Sequence, residues 1–514
     1  MKIIAPVAAA FGGKLAKMPL SCSTIRRKRK QCRQEIAERV TAEFEAAGPV
    51  VVHWDGVKLE NISSSGHSER LAILVSWDGK EKLLGTATLE QATGEAASNA
   101  VHDRLEEWRC TPLVRGLCFD TTSVNTGRLN GNILSLVYVR YLKIVKNDAF
   151  VGACVNLERI LGRDLMWLAC RHHVLELILA KAFFVCFGPT KSPETPLFKR
   201  FREKWPEISK DKVKALTVTK KFKKQKESVV GFLKTSTEWS RNDYKELNDL
   251  TLLVLGNRPE GFTWKKPGPI HHARWMAKLI YATKIYLLRD QGSAFELTEE
   301  EVKQLQRFVR FGALLYVKPW FEAPLAAEAA FNDLNLWREL QSFRSTDPEL
   351  AAETSTVLER HLWYISDELI GLAFFSEQLT TSEKARMVSA MQKKPEGVRS
   401  VVANPELLTN SSFDCFVSKR TANIFTQLMI DDSFVRLPPD EWIENEAYRD
   451  GQRVVQNLQV VNDLAERGVK LSKDYNKLLT KDEAENERVL QVVEQNRKHI
   501  ETNCTKTCFD KMFS

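Results

Sequence analysis

The sequence predicts an α/β protein that is rich in helices, with one sheet interrupted by a large all-helical insertion. Three observations predict this class. Strand and helix signals follow the order β-β-β-α-β between residues 50 and 119. The region 189–435 has the apolar spacing of long amphipathic helices and few strand signals. A last helical region follows Pro438-Pro439.

The first three strands are predicted by runs of β-branched and apolar residues that end at turn residues. Residues 50–54 form such a run and end at Asp55, and residues 71–77 form the second. A hairpin turn signal at 78–80 ends the second run, and residues 82–89 follow as the third strand. We therefore expect an antiparallel meander at the start of the sheet.

The fourth and fifth strands are separated by helical segments. Apolar residues at three- and four-residue spacing predict a helix over 94–108, and strand 114–119 then ends at Asp120. A parallel neighbour requires such a crossover helix. Residues 165–169 predict the fifth strand, and an apolar helix follows it. The segment 129–151, rich in Tyr, Val, Leu and Lys, fits no neighbouring pattern.

The patterns along the chain predict four parts, whereas length alone suggests about three domains. At ~150 residues per domain, the 514 residues suggest about three domains. The patterns instead predict a basic N-terminal tail and helix, the first part of a core, a helical insertion, and a C-terminal helical part that completes the core. These parts are 1–48, 49–188, 189–435 and 436–514.

The composition excludes several classes of protein. Hydrophobic residues make up 43% and charged residues 27%, which excludes a wholly disordered or collagen-like chain. Ten cysteines without a CxxC pattern exclude a small disulfide scaffold and favour a reducing compartment. The most apolar run, 174–187, contains Glu176 and Lys181 and is shorter than the ~20 residues of a membrane span, so we expect no membrane segment.

Two segments carry much of the basic charge. Lys plus Arg number 75 against 66 for Asp plus Glu, and the net charge of +9 leans mildly towards polyanionic partners. Residues 210–226 contain eight lysines. A second basic run lies at the start of a charged helix. It has three possible interpretations, namely a solvated helix face, a phosphate-contacting arm or a nuclear-import patch. Its members are Arg26, Arg27, Lys28, Arg29 and Lys30.

Two aspartates directly follow predicted strands of one sheet. Asp55 follows the first strand and Asp120 follows the fourth. Two carboxylates held close together repel unless a cation lies between them, and hard cations such as Mg²⁺ prefer oxygen ligands. Such ions can activate a water and stabilise a leaving oxygen in phosphoryl transfer. The alternative is that both are ordinary turn-forming aspartates.

Two polar motifs near these aspartates have more than one interpretation. Residues 121–127, which include Asn125, form a hydroxyl- and amide-rich turn that suits phosphate or water but also resembles a plain helix N-cap. Cys170 and His173 form a C-x-x-H, which is half of a zinc site. The residues that could complete it are His499, Cys504 and Cys508.

Arg274-Trp275 is a further candidate within the helical region. Trp275 could stack on an unpaired base and Arg274 could hold a phosphate. The alternative is a core tryptophan at the start of an amphipathic helix, because the chain has 12 tryptophans.

The order of these features resembles the RNase H-like catalytic core of DDE transposases, and in detail the hAT transposase superfamily. In that family a Cys-x-x-His and an apolar helix follow the second aspartate, as Cys170 and His173 do here. An all-helical insertion carries an Arg-Trp early on, here Arg274-Trp275. The last catalytic residue is a glutamate in a helix near the C-terminus, here Glu466. The resemblance covers most of the chain from about residue 50.

The resemblance implies metal-dependent cleavage and transfer of DNA strands. Asp55, Asp120 and Glu466 would hold two Mg²⁺ or Mn²⁺ ions, and a water and then a DNA 3′-hydroxyl would attack phosphodiester bonds. Trp275 would stack on an extruded base, and His173 would lie near the acidic cluster. The resemblance also implies transposon ends or non-specific DNA as the partner, homo-oligomers, and a nuclear location, or a cytoplasmic one for a degenerate copy.

The chain departs from the family pattern in three ways. No BED zinc-finger set of Cys and His precedes residue 50, so we expect a truncated or repurposed chain whose arm 26–30 supplies non-specific affinity. The segment 129–151 is extra chain, either a genuine insertion or a translated intron. The signature around Glu466 is partly matched, which leaves Glu377 and Glu441 as alternatives.

Two other functions stay open. The first is a catalytically inactive, domesticated transposase that binds DNA or chromatin on the same fold. The second is an actin-like or sugar-kinase-like ATPase, which shares the strand order and for which 120–122 would be a phosphate loop. Such ATPases usually need a duplicated domain with a Gly-rich adenosine motif, and the sequence has no second copy.

Overall fold

The computed structural model describes residues 21–127, 151–189, 195–235, 239, 241–268, 274–395 and 405–497. The predictions made for residues 128–150 and for the zinc candidates beyond residue 497 lie outside the described residues. The described part is a helix-rich α/β protein with one five-stranded mixed sheet, as the sequence predicts at this level.

The sheet contains two antiparallel and two parallel pairings. The strands are adjacent in the order β3-β2-β1-β4-β5. The pairs β1–β2 and β2–β3 are antiparallel, whereas β1–β4 and β4–β5 are parallel. The strand bounds are β1 Val50–Glu60, β2 His67–Trp77, β3 Lys80–Leu89, β4 Val114–Phe119 and β5 Met166–Ala169.

Strand β1 is longer than the sequence predicts. Its first five residues are buried between neighbouring strands, and its parallel pairing with β4 ends at His53. Beyond that point β1 continues to Glu60 and pairs only with β2. The prediction that the strand ends at Asp55 is therefore wrong, because antiparallel pairing alone sustains the protruding half. Asp55 nevertheless lies just past the carboxyl end of β4.

The hairpin between β2 and β3 has the predicted turn. Asp78 and Gly79 have φ angles of 43° and 69°, so both adopt the left-handed conformation that a tight hairpin turn requires. Gly79 does so without the steric cost that a Cβ would add. The crossover after β3 is a helix that buries Ala97, Val101 and Leu105 against the sheet.

Helices make up most of the remaining described chain. The helices up to the one that follows β5 are α1 Cys22–Ala42, α2 Gly94–Glu107, α3 Ser123–Thr126, α4 Ala153–Leu161 and α5 Arg171–Phe187. Those of the region predicted as a helical insertion are α6 Pro196–Lys204, α7 Lys223–Thr235, α8 Asn242–Val254, α9 Trp275–Leu287, α10 Glu299–Phe311, α11 Val317–Glu322, α12 Ala329–Phe343, α13 Pro348–Glu359, α14 Thr381–Lys393, α15 Pro405–Asn410 and α16 Asn423–Leu428. The last three are α17 Glu446–Gln456, α18 Asp463–Tyr475 and α19 Glu483–Arg497. None of the described helices has the length and apolarity of a membrane span.

The two last helices return to the sheet. Leu464, Ala465 and Val469 of α18 pack with Leu490 of α19 in one buried cluster. On the sheet this cluster includes Ala72, Leu74 and Leu83. The resemblance to a split RNase H-like core implies that its first and last parts meet. In the structure α18 lies against β1 and β2.

Candidate functional site

Two of the predicted acidic residues meet at the carboxyl end of β4. Asp120 is the first residue after β4, and Asp55 lies on β1 where that strand passes the end of β4. Glu466 belongs to the first turn of α18, which packs across β1 and β2. The fold therefore brings residues from three separate parts of the sequence to one edge of the sheet.

The carboxyl groups of these residues influence one another. Burial, followed by the charges of Asp120 and Glu466, raises the pKa of Asp55 to about 7. Burial, followed by the charge of Glu466, likewise raises the pKa of Asp120 to about 7. Neighbouring carboxylates destabilise each other's charged form, and a cation bound between them would relieve this repulsion.

The carboxylate of Glu466 is paired with arginine side chains. Glu466 forms an ion pair with Arg274, and its Oε2 lies 3.7 Å from Nη1 of Arg241. Among the residues that the structure describes, no group of three or more His, Cys, Asp or Glu side chains is close enough to hold a metal ion. The oxygen donors fit Mg²⁺ or Mn²⁺ in their chemistry. A three-carboxylate site would require the Glu466 side chain to leave Arg274.

The two alternatives to Glu466 lie in other surroundings. The backbone N–H of Glu377 donates to Glu328, and both acids lie near Tyr448. Glu441 is an exposed residue directly before the 3₁₀ turn Trp442–Glu444. Glu466 is the one of the three whose charge raises the pKa of both aspartates.

His173 and Cys170 adjoin Asp120 with different roles. His173 Nδ1 lies 3.3 Å from Oδ2 of Asp120, and burial lowers the pKa of His173 to about 4. The Cys170 thiol is buried and accepts the N–H of His173 at 3.4 Å and that of Asn462 at 3.1 Å. Burial raises the pKa of Cys170 well above its ordinary value. Cys170 is thus the N-cap of α5, which accounts for the C-x-x-H without zinc.

Asn125 forms a hydrogen bond with the backbone of Asp120. Its amide Nδ2 donates to the backbone carbonyl of Asp120 at 2.8 Å, and its Oδ1 accepts the indole N–H of Trp54 at 2.9 Å. Both ends of this buried amide are therefore satisfied by protein atoms. Asn125 fixes the loop after β4 to β1, and its contacts are those of a loop anchor.

Arg274 and Trp275 lie at the start of α9. Arg274 is only 7% exposed. Trp275 is half-buried, with its ring centroid 5.6 Å from that of Phe183 and 5.0 Å from that of Phe184. Phe184 is 39% exposed, so an aromatic surface reaches solvent beside Trp275. Contact of either predicted residue with DNA stays a prediction.

Glu176 is a residue of this region that sequence reasoning missed. Its carboxylate accepts the backbone N–H groups of Trp275 and Met276 and thereby caps the N-terminus of α9. Burial raises the pKa of Glu176 to about 7. The sequence contains no local signal for this cap, because the two partners are 99 residues apart.

Two further residues missed from the sequence lie four and three positions before Glu466. Asn462 donates from Nδ2 to the carbonyl of Trp54 at 2.9 Å and so ties the start of α18 to β1. Asp463 accepts hydrogen bonds from Tyr244 and Arg274. Their proximity to Glu466 in the sequence was the available signal.

The basic run at the start of α1 is exposed. Lys30 lies 3.7 Å from Asp482, and Lys28 donates to Gln31 at 3.1 Å. Within the described chain, Arg26, Arg27 and Arg29 have no acidic partner in ion-pair range.

No protein-family model matches this chain, and its comparison with curated proteins finds no match.

The raised pKa values of Asp55 and Asp120, which result first from burial and then from neighbouring negative charge, predict a pH dependence of stability. Both folded-state pKa values lie above the ordinary 3.8, so the folded protein binds more protons than the unfolded one between about pH 4 and pH 7. Stability is then greatest below this window and falls as the pH rises through about 7. The loss should stay below about 1.4 kcal/mol per pH unit for Asp120, whose side chain is 31% exposed.

Urea unfolding of the wild type and of Asp120→Asn from pH 5 to pH 8, without divalent ions, measures this effect. The stability of the variant relative to the wild type should increase with pH. A difference that is constant across this range would contradict the raised pKa of Asp120.

Proposed function

We propose that the protein is a metal-dependent DNA-processing enzyme of the DDE type, with an RNase H-like core and hAT transposase ancestry. The observation that carries the proposal is that Asp55 and Asp120 lie together at the carboxyl end of β4, where burial and the charge of Glu466 raise the pKa of both. The strand adjacency β3-β2-β1-β4-β5 and the crossover helix α2 support the RNase H-like assignment.

The residues have separate tasks in this proposal. Asp55 and Asp120 would hold the divalent cations, and Glu466 would complete the ligand set. Bound Mg²⁺ or Mn²⁺ would supply an activated water and neutralise charge on the phosphate. Asn125 keeps the Asp120 loop on β1, and His173 contacts the Asp120 carboxylate. Trp275, half-buried beside Phe184 and with Lys278 Nζ 4.2 Å from its ring centroid, would be the ring on which an unpaired base stacks.

The test is nicking of supercoiled plasmid DNA by the full-length protein in MnCl₂, with a parallel reaction in EDTA. We expect conversion to nicked circles in MnCl₂ and none in EDTA. Equal nicking in both would contradict a metal-dependent site.

A second candidate function is DNA or chromatin binding without catalysis. Arg26, Arg27 and Arg29 of α1, which are exposed and have no acidic partner among the described residues, favour it, because each neutralised phosphate adds to a salt-dependent affinity. The proposed transposase ancestry also implies, through the resemblance, homo-oligomers, a nuclear location and either transposon ends or non-specific DNA as the partner.

Removing three charges of the arm should weaken the salt dependence of DNA binding. The variant Arg26→Gln/Arg27→Gln/Arg29→Gln should make the slope of log affinity against log salt less negative by about 2 to 3, since each phosphate contact contributes about 0.9. Fluorescence anisotropy with a labelled duplex measures the slope. The matched control is Arg344→Gln/Arg436→Gln/Arg449→Gln, which changes three other exposed arginines. An equal change of slope in the control would contradict a specific role of the arm.

A further inference from the structure

Arg274 is a buried cation that faces the candidate site from the helical region. Its Nη1 donates to the Tyr244 hydroxyl at 2.6 Å, and its Nη2 donates to Oδ1 of Asp463 at 3.1 Å. The same Nη2 is bonded to Oε2 of Glu466. The guanidinium carbon lies 5.4 Å from the ring centroid of Trp320. One nitrogen of Arg274 is therefore shared between two carboxylates on α18.

Asp463 is the firmly held member of this pair of carboxylates. Its Oδ2 accepts the Tyr244 hydroxyl at 2.9 Å, and its Oδ1 lies 2.9 Å from Nδ1 of His172. Burial alone would raise the pKa of Asp463, but His172 and Arg274 hold it well below its usual range. The imidazole of His172 is fixed in turn by stacking on Trp320, with centroids 3.9 Å apart. Asp463 thus has partners on α5, on α8 and at the start of α9.

Glu466 is the member that can move. Its side chain is 42% exposed, against 22% for Asp463. The two residues are three positions apart on α18 and lie on the same face of the helix, which is why one arginine reaches both. A half-exposed ion pair is opened more cheaply than a buried one with several partners.

We propose that Asp463 and Glu466 compete for Arg274, and that Arg274 holds Glu466 away from Asp55 and Asp120 until a divalent cation competes for Glu466. Arg274 and Asp463 are then positioning residues for the third carboxylate. This inference rests on the proposed function, because it takes Glu466 as a ligand of the cation. Cation affinity would be set by the exchange of Glu466 between Arg274 and the two aspartates.

The two positioning residues should have opposite effects on the binding of Mn²⁺. Arg274→Gln frees Glu466, so the affinity for Mn²⁺ should rise by about five- to tenfold. Asp463→Asn removes the competing carboxylate, so that Arg274 pairs more strongly with Glu466 and the affinity should fall by a similar factor. Isothermal titration of the DNA-free protein with MnCl₂ measures both, and a purely structural role would lower the affinity in both variants.

A second set of variants separates this exchange from a general effect of charge. With Glu466→Gln as the background, Arg274→Gln and Asp463→Asn should each change Mn²⁺ affinity by less than about twofold, because the residue they act on is absent. Arg241→Gln removes a positive charge that is also near Glu466 but 42% exposed, and should change the affinity little in any background. If Arg274→Gln does not fold, Arg274→Lys is read in its place, because lysine retains the charge but lacks the fork that reaches all three acceptors.

The outcomes distinguish the two levels of the proposal. Wild-type protein that binds no Mn²⁺ overturns the proposed function and the exchange with it. Binding that depends on Asp55 and Asp120, with shifts of Arg274→Gln and Asp463→Asn that persist in the Glu466→Gln background, overturns the exchange alone. Opposite shifts that vanish in that background support the exchange.

Discussion

Replacing Asp120 by asparagine should lower Mn²⁺-dependent nicking of DNA by about a thousandfold or more. The substitution keeps the shape of the side chain and removes one of two carboxylates that would hold the cation. A loss of about 4 kcal/mol of stabilisation of the transition state corresponds to such a factor. The same change should not destabilise the cation-free protein, because it removes a charge whose folded-state pKa is raised to about 7.

Nicking rates and thermal melting of the same preparation provide the measurement. Asp474→Asn is the control, since Asp474 lies on α18 but pairs with Lys470 on the exposed side. We expect the control to nick at the wild-type rate. Equal nicking by Asp120→Asn and the wild type would remove Asp120 from the reaction.

Replacing Gly468 by leucine should destabilise the protein by about 3 kcal/mol and displace the helix that carries Glu466. A Cβ at Gly468 would lie 3.0 Å from Cδ1 of Leu74 and 3.1 Å from Cβ of Ala72, both on β2. The remaining atoms of leucine would have to enter the space between α18 and the sheet, and overpacking of this kind costs about 1 to 3 kcal/mol or somewhat more. Nicking should fall as well, because α18 must shift.

Gly231→Leu is the matched control for this prediction. Gly231 is exposed on α7, and a Cβ there would meet no atom within 4 Å. The same substitution should therefore stabilise the protein by about 0.8 kcal/mol through helix propensity. Urea unfolding of both variants measures the two signs. A Gly468→Leu protein as stable as the wild type would show that α18 does not pack tightly on the sheet.

The positions of the strands were predictable because their signals are local. Alternation, β-branched runs and the turn at 78–80 placed four of the five strands within a few residues of their observed bounds. The exception is the end of β1. Asp55 and Gly56 are turn-forming residues by type, yet the chain continues as a strand because β2 is long enough to pair with it.

The candidate site was predictable in part. The proximity of Asp55 and Asp120 follows from the parallel pairing of β1 with β4, which places Asp55 just past the carboxyl end of β4 although β1 itself continues. The ion pair between Arg274 and Glu466 could not be predicted, because 192 residues separate the two and neither has a local pattern that names its partner. The same holds for Glu176, whose carboxylate caps a helix distant in sequence.

Cys170 and Asn125 show that a polar side chain can serve either a ligand site or a hydrogen bond within the protein. Both were candidates for chemistry on their sequence motifs, and both are occupied by hydrogen bonds within the protein. A helix N-cap and a loop anchor use the same polar atoms that a ligand site would use. The sequence does not distinguish these uses, because the distinction depends on what faces the side chain in the folded state.

Diffraction from crystals soaked in MnCl₂, recorded at the manganese absorption edge, tests the central claim most directly. The account predicts anomalous peaks within coordination distance of the carboxylate oxygens of Asp55 and Asp120, with the Glu466 side chain turned from Arg274 towards the ions. Crystals with manganese at other sites, and with the ion pair of Glu466 and Arg274 intact, would contradict it.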